Sequence, residues 1–261
     1  KYSGTWKYSY GLSTQYVKYD NSTMSRIRPE VRDSSGQIIQ PAVTYNYSSA
    51  IDFFKYGVFG QLSKTYFDER LSLSAGIRTD MNSFTSNGNN PFKTISPRMG
   101  LSYALNEKLY FNASVGKYFK IQPYTVLGFK DSSGQFINKA SDYTGCFHKV
   151  AGFEFIPRPS TRITIEAFNK IYDHYAVSAR DSISLANMGG DFNVLGNEKV
   201  ITSGLGKTWG IEFFVQQKLT KRFFGIFSYT YFKSMFAGLN GEYVSSSWDN
   251  NHLISATGGY K

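Results

Sequence analysis

The sequence contains no run of about 18 apolar residues, so it offers no transmembrane helix. It has one cysteine, Cys146, which excludes an internal disulfide and leaves no CxxC pair for a metal. Tryptophan is scarce, at 3 residues in 261, and charge is low, at 18%. Average soluble proteins carry roughly 25%. The three histidines, His148, His174 and His252, show no HxxxH or HExxH spacing. No metal centre or cofactor is therefore expected. No signal peptide opens the chain; residues 1–10 already alternate like a strand, as if the sequence started in mid-protein.

Aromatics are abundant: 20 Tyr and 22 Phe bring them to 17% of the chain, yet mean hydropathy is −0.34. A globular core would favour Leu, Ile and Val, whereas this mixture suits a wall between two solvents. A barrel strand crosses a bilayer with about 9–11 residues, of which only every second must be apolar. The net charge of +10 would fit a nucleic-acid binder if it were clustered. Instead the cations are spread along the chain (Lys55, Arg78, Arg98, Lys149, Lys207 and Lys233 among them). That spread favours a solvated lumen and contact with anionic headgroups, with no nucleic acid as partner.

Period-two alternation dominates. In 54–63, Phe54, Tyr56, Val58, Gly60 and Leu62 oppose Lys55, Gly57, Phe59, Gln61 and Ser63. Leu71, Leu73, Ala75 and Ile77 oppose Ser72, Ser74, Gly76 and Arg78, and Trp209, Ile211, Phe213 and Val215 oppose Gly210, Glu212, Phe214 and Gln216. The pattern persists for about 12–14 residues, against a mode of about 5–6 in soluble strands. Aromatics such as Tyr66, Phe67, Tyr103, Tyr118, Tyr172 and Tyr260 fall near strand ends, as in the girdles of membrane barrels. The expected strands are 4–20, 50–65, 69–85, 94–105, 108–120, 146–157, 161–178, 204–219, 222–236 and 250–261.

Tight turns are expected near 66–69, 106–107, 158–161 and 220–222, and long polar loops at 21–49, 86–92, 122–143, 181–203 and 237–250. Short turns at one end and long loops at the other are the outer-membrane pattern. The fold class is thus all-β: an antiparallel transmembrane barrel segment of about ten long strands. Unpaired strand edges are costly in lipid, so either the first and last strands pair or further protein closes the wall.

No motif points to catalysis. Gly204-Leu-Gly-Lys-Thr208 fails as a phosphate loop, because Ile201 stands where a glycine is needed. Glu154, Glu166 and Glu212 fall on the polar face with Arg70, Arg78, Arg98 and Arg162, and ion pairs in the lumen are expected between them. The loops are rich in Tyr, Asn, Ser, Gly and Asp, which bind solutes by stacking and hydrogen bonding. The candidate ligand contacts are Tyr124, Arg180, Asn187, Asp191 and Asn193.

Several segments resemble the TonB-dependent receptors, especially those of Bacteroidetes-type bacteria. They are Tyr56-Gly-Val-Phe-Gly-Gln61, Leu73-Ser-Ala-Gly-Ile-Arg78, Ser96-Pro-Arg-Met-Gly-Leu-Ser-Tyr103 and Leu109-Tyr-Phe-Asn-Ala-Ser-Val-Gly-Lys-Tyr118. Gly152-Phe-Glu154, Gly204-Leu-Gly-Lys-Thr-Trp-Gly-Ile-Glu212, Phe227-Ser-Tyr-Thr-Tyr231 and Ser247-Trp-Asp-Asn-Asn-His252 follow in order. The resemblance implies an outer-membrane barrel of about 22 strands, of which 1–261 would be a part, with the plug domain and the last strands outside it. It implies uptake of a scarce solute driven by TonB through the plug. It also implies contact with outer-membrane lipid, lipopolysaccharide and the receptor's own plug, and admits a surface lipoprotein as partner.

Two other readings stay open from the residues. One is a complete ten-stranded outer-membrane adhesin or protease, for which Asp173 beside His174 is the one catalytic hint. The other is a soluble β-sandwich that binds sugar or protein.

Overall fold

The computed structural model describes residues 6–189, 196–220 and 222–261. Thirteen strands follow one another: β1 (Lys7–Arg28), β2 (Val31–Arg32), β3 (Ile38–Gln40), β4 (Val43–Tyr66), β5 (Leu71–Asn82), β6 (Ser96–Ala104), β7 (Leu109–Lys120), β8 (Thr144–Arg158), β9 (Thr161–Ser178), β10 (Val200–Thr220), β11 (Phe223–Ala237), β12 (Tyr243–Ser245) and β13 (His252–Tyr260). One short helix, α1 (Tyr124–Leu127), lies between β7 and β8. Eleven strands form one antiparallel sheet in chain order from β1 and β4 onward, while β2 and β3 pair separately. Both β12 and β13 pair with β11, at its two ends. Together they make one wall position interrupted by the residues between them. The result is a meander, as short antiparallel connections dictate.

The expected tight turns at 66–69, 106–107 and 158–161 are present, and Thr220 pairs with Phe223 on either side of the fourth. At 67–69 the backbone is left-handed at three successive non-glycine residues, Phe67, Asp68 and Glu69 (φ 57, 53 and 68°). Among the described residues the one other sheet is the two-stranded β2–β3, too small to be the second layer of a sandwich, which overturns the β-sandwich reading. The edges β1 and β13 do not pair with each other among the described residues, so the sheet is not a closed ten-stranded barrel.

One expected loop is corrected. Residues 21–49 form a ribbon: β1 stays paired with β4 up to Arg28↔Val43, long after β5 has left β4 at Lys55↔Asn82. The extra 12 residues of β4 rise about 40 Å at 3.3 Å each. Near the wall one face of the ribbon is buried under the 121–143 connection, at Tyr47, Ser49, Ile51 and Phe53, while residues 29–42 are all exposed; the polar composition that suggests a loop is that of this outer part. Its tip, Asp33-Ser-Ser-Gly-Gln37, reappears as Asp131-Ser-Ser-Gly-Gln135 in the 121–143 connection. In each, one aspartate oxygen accepts from the backbone N–H of the residues two and four ahead, and the glycine is left-handed (φ 85 and 82°).

The alternation sorts the wall into two faces. Outward positions are apolar and open: Val58, Leu73, Ile77, Met99, Phe153, Ile165, Ile211 and Phe227 are all exposed. Cross-strand aromatic pairs hold this face, including Phe111–Phe153 (5.4 Å) and Phe213–Phe227 (6.3 Å). Such a face is stable only in lipid. Among the described residues no helix is long and apolar enough to span a bilayer.

The buried core sits at the loop end, on the opposite, lumen face. There the 121–143 connection folds back over the sheet. Leu127 and Ile121 pack with Val17, Ile51 and Phe53 of β1 and β4, while Val126 packs with Ala176, Leu185 and Val200 around β9 and β10. Two buried amides secure it. Asn138 Nδ2 donates to the carbonyls of Val126 and Glu198 (2.8 Å each), and its Oδ1 accepts from Val200 N. Gln122 Nε2 lies 2.8 Å from the Asp142 carbonyl and 3.0 Å from that of His174. The expected open loop is therefore a cap.

Candidate functional site

Residues 119–123, where β7 enters the cap, form a partition with a recess on each side. The first recess, ≈ 480 Å³, is lined by Lys55, Arg78, Asp80, Arg98, Lys120, Tyr124 and Tyr143 together with the partition. Lys55, Arg78, Arg98 and Lys120 are successive lumen-face positions on β4 to β7, so the wall supplies four cations against Asp80. Arg78 is committed: its Nε donates to Asp80 Oδ2 at 2.8 Å. Gly57 makes room for that pair, since a Cβ there would lie 2.7 Å from Arg78 Nη2 and 2.9 Å from Asp80 Oδ1.

Arg98 has no acidic partner among the described residues, and its Nε is buried without a hydrogen bond. In register it faces Gly76 on β5 and Gly116 on β7. A Cβ on Gly116 would lie 3.0 Å from Arg98 Cγ. The bare backbone of Gly116 leaves that space free, and the guanidinium lies over the Tyr118 ring, 4.3 Å from its centre. Tyr143 closes the cleft from the cap and accepts from Asn82 Nδ2 at 2.9 Å; burial pushes its phenol up, so it stays neutral.

The second recess, ≈ 480 Å³, is aromatic and lies under the cap beside β8–β11, lined by Tyr118, Tyr172, Tyr175, Phe236 and Trp248 around Cys146. Tyr175 and Phe236 rings are 4.6 Å apart. Tyr118 and Tyr172 thus point into the lumen, not to the lipid girdle expected of them.

The three predicted ligand residues that the structure describes are not brought together. Tyr124 lines the basic cleft and packs on Tyr19 and Phe53. Arg180 is an exposed loop residue whose guanidinium pairs with Asp181 (2.8 Å) and holds that carboxyl below its ordinary range. Asn187 Nδ2 donates to the Val244 and Ser245 carbonyls, stapling two connections together. Asp191 and Asn193 lie outside the described residues.

The expected lumen ion pairs are corrected too. Among the described residues only Arg162–Glu154 (2.5 Å) forms; Arg70 turns to the carbonyls of Ala104 and Leu105. Glu166 and Glu212 oppose each other in register, and neither forms an ion pair among the described residues. Asp173 pairs with Lys117 as well as His174, and no third catalytic group joins them. No group of three metal-ligating residues exists among the described residues. The composition signalled cations and small residues on the lumen face, but which arginine meets which glycine depends on cross-strand register.

No curated protein matches the chain by sequence. Solved structures match its fold. The ferric-catecholate import receptor Fiu of E. coli superposes with a TM-score of 0.63 at 12% identity, covering 98% of this chain and 39% of that one. The pyoverdine outer membrane receptor FpvA of Pseudomonas aeruginosa, bound to pyoverdine, gives 0.60 at 16%, covering 97% and 36%. The outer membrane transporter YddB of Escherichia coli gives 0.57 at 12%, covering 99% and 38%. The chain spans under two fifths of the length of each of these three structures. A family model described as "TonB dependent receptor-like, beta-barrel" matches residues 1–258. The chain therefore belongs to the TonB-dependent receptor β-barrel family, whose place is the outer membrane and whose work is not catalysis.

Proposed function

We propose that the chain is part of the barrel wall of an outer-membrane receptor that takes up a scarce solute, with TonB supplying the drive through a plug in the lumen. The observation that carries this reading is the capped lumen face, with recesses beneath the cap and an apolar face outside. The solved neighbours bear names of import receptors and transporters, and that also supports it. Further strands would close the wall beyond β1 and β13, toward about 22 in all. Glu166 and Glu212, opposed on the lumen face without an ion pair among the described residues, suit contact with a plug. The outward face would meet lipid and lipopolysaccharide, and the projecting β1–β4 ribbon is where a surface lipoprotein would reach it. Tyr124 is the proposed solute contact lining the cleft; Arg180 would act earlier, at an exposed loop, Asn187 supports the loops, and Asp191 and Asn193, outside the described residues, stay as proposed contacts.

The test is made on cells that carry the intact receptor. Solutes depleted from the medium are compared with and without the receptor, and with and without a protonophore. A solute whose depletion needs both receptor and proton gradient is expected. Identical depletion in all arms would end the reading.

A further inference from the structure

We propose that the basic cleft is an anion site, and that the imported solute presents carboxylate or phosphate oxygens to Arg98; this rests on the receptor reading above. Three observations carry it. Four cations from adjacent strands converge on one recess with Asp80 as the acid in its lining, and Arg78 already engages that acid. Arg98 keeps a buried Nε without any hydrogen-bond partner, and an unsatisfied buried donor is costly unless something fills it. Gly116, opposite it in register, leaves room for its side chain, since a Cβ there would lie 3.0 Å from Arg98 Cγ.

The half-buried guanidinium, with its carbon 4.3 Å from the centre of the Tyr118 ring and its Nε buried, can offer its remaining N–H groups as a planar fork. That geometry matches two oxygens of one carboxylate or phosphate. The cap above lowers the local dielectric, so each charge–charge contact is stronger there than in open water. A neutral polyol would leave Lys55, Arg98 and Lys120 uncompensated in the same space.

The experiment uses the full-length receptor in detergent, with citrate and pyrophosphate as separate probes, a neutral trisaccharide as control and ionic strength fixed. Saturable binding of at least one anion is expected, weakened about tenfold or more in Arg98→Gln and measurably in Lys120→Gln. Arg162→Gln, on the same face but paired with Glu154 outside the cleft, should bind as the parent does. Heat-modifiable gel migration checks that each variant is folded. Preference between the two probes separates a carboxylate from a phosphate site. Equal affinity in the parent and the Arg98 and Lys120 variants overturns the anion site, as does a parent that binds neither anion; a plug carboxylate already seated on Arg98 would give that second outcome. Energised uptake of a neutral solute, unchanged by Arg98→Gln, would overturn the anion site and leave the receptor reading standing.

Discussion

At the residue scale, the lumen face works by pairing long charged side chains with glycines on the next strand. Gly57 serves Arg78, Gly116 serves Arg98, and Gly152 stands opposite Glu166. Filling such a seat should cost more than filling an outward one. Gly116→Val is expected to destabilise the folded receptor by about 1–3 kcal/mol through overpacking and to displace Arg98; the temperature at which heat-modifiable migration is lost measures the first effect. The small residues among Arg and Glu were visible in the sequence, but their partners were not, because a glycine and its arginine are 18 to 21 positions apart and meet only through register. The aspartates of the two Asp-Ser-Ser-Gly-Gln tips give a pH prediction. The side-chain hydrogen bonds from Ser35 and Ser133 are the largest cause holding the Asp33 and Asp131 carboxyls below the ordinary 3.8. A depressed folded value means that the stabilisation is fully present above the ordinary carboxylate value and is lost as pH falls through the lower one. Exchange protection at the Ser133 and Gln135 amides should hold from neutral pH to about pH 5 and drop in strong acid. Loss of protection already near pH 6 would contradict the assignment.

At the scale of elements, the cap is the part least like its sequence. Residues 122–143 are polar, and polar stretches between strands ordinarily lie in water. Here Gln122 and Asn138 are 2% exposed, and they satisfy carbonyls that the cap would otherwise bury unpaired. Sequence does not distinguish a solvated amide from one that replaces water inside a fold. Asn138→Ala should therefore leave the wall intact and release the cap, since three hydrogen bonds are lost and buried groups are left unsatisfied at about 1–3 kcal/mol each. Protease added to intact cells should then cut within 121–143 much faster than in the parent; an unchanged cleavage rate would refute the role of Asn138. The ribbon was missed for a related reason: once a strand leaves both the bilayer and its neighbours, nothing requires an apolar face, and the alternation that betrays strands fades. By contrast every long strand inside the wall was legible, because lipid on one side and water on the other impose the period of two; the three-residue β12, inside the expected 237–250 loop, was missed because it is too short to show that period.

At the scale of the molecule, the assignment of faces is the claim most exposed to experiment. Ala113 and Ser102 are on neighbouring strands, the first outward and the second on the lumen face. Arginine at Ala113 should cost about 2–4 kcal/mol, as expected for a cation on the lipid face near mid-bilayer, whereas arginine at Ser102 should cost much less. Comparable losses at both sites would mean that the faces are misassigned. Architecture was readable at this scale, while the recesses were not, because they arise where the cap crosses the wall. That crossing has a mechanical consequence. The cap is fastened at one side to Val17, Ile51 and Phe53 and at the other to Ala176 and Val200, so it braces two distant parts of the wall as a tie-beam braces an arch. A beam pinned at both ends cannot swing. On the proposed function, passage beneath it would come from deformation of the lumen's contents, or from a pull strong enough to unpin one end.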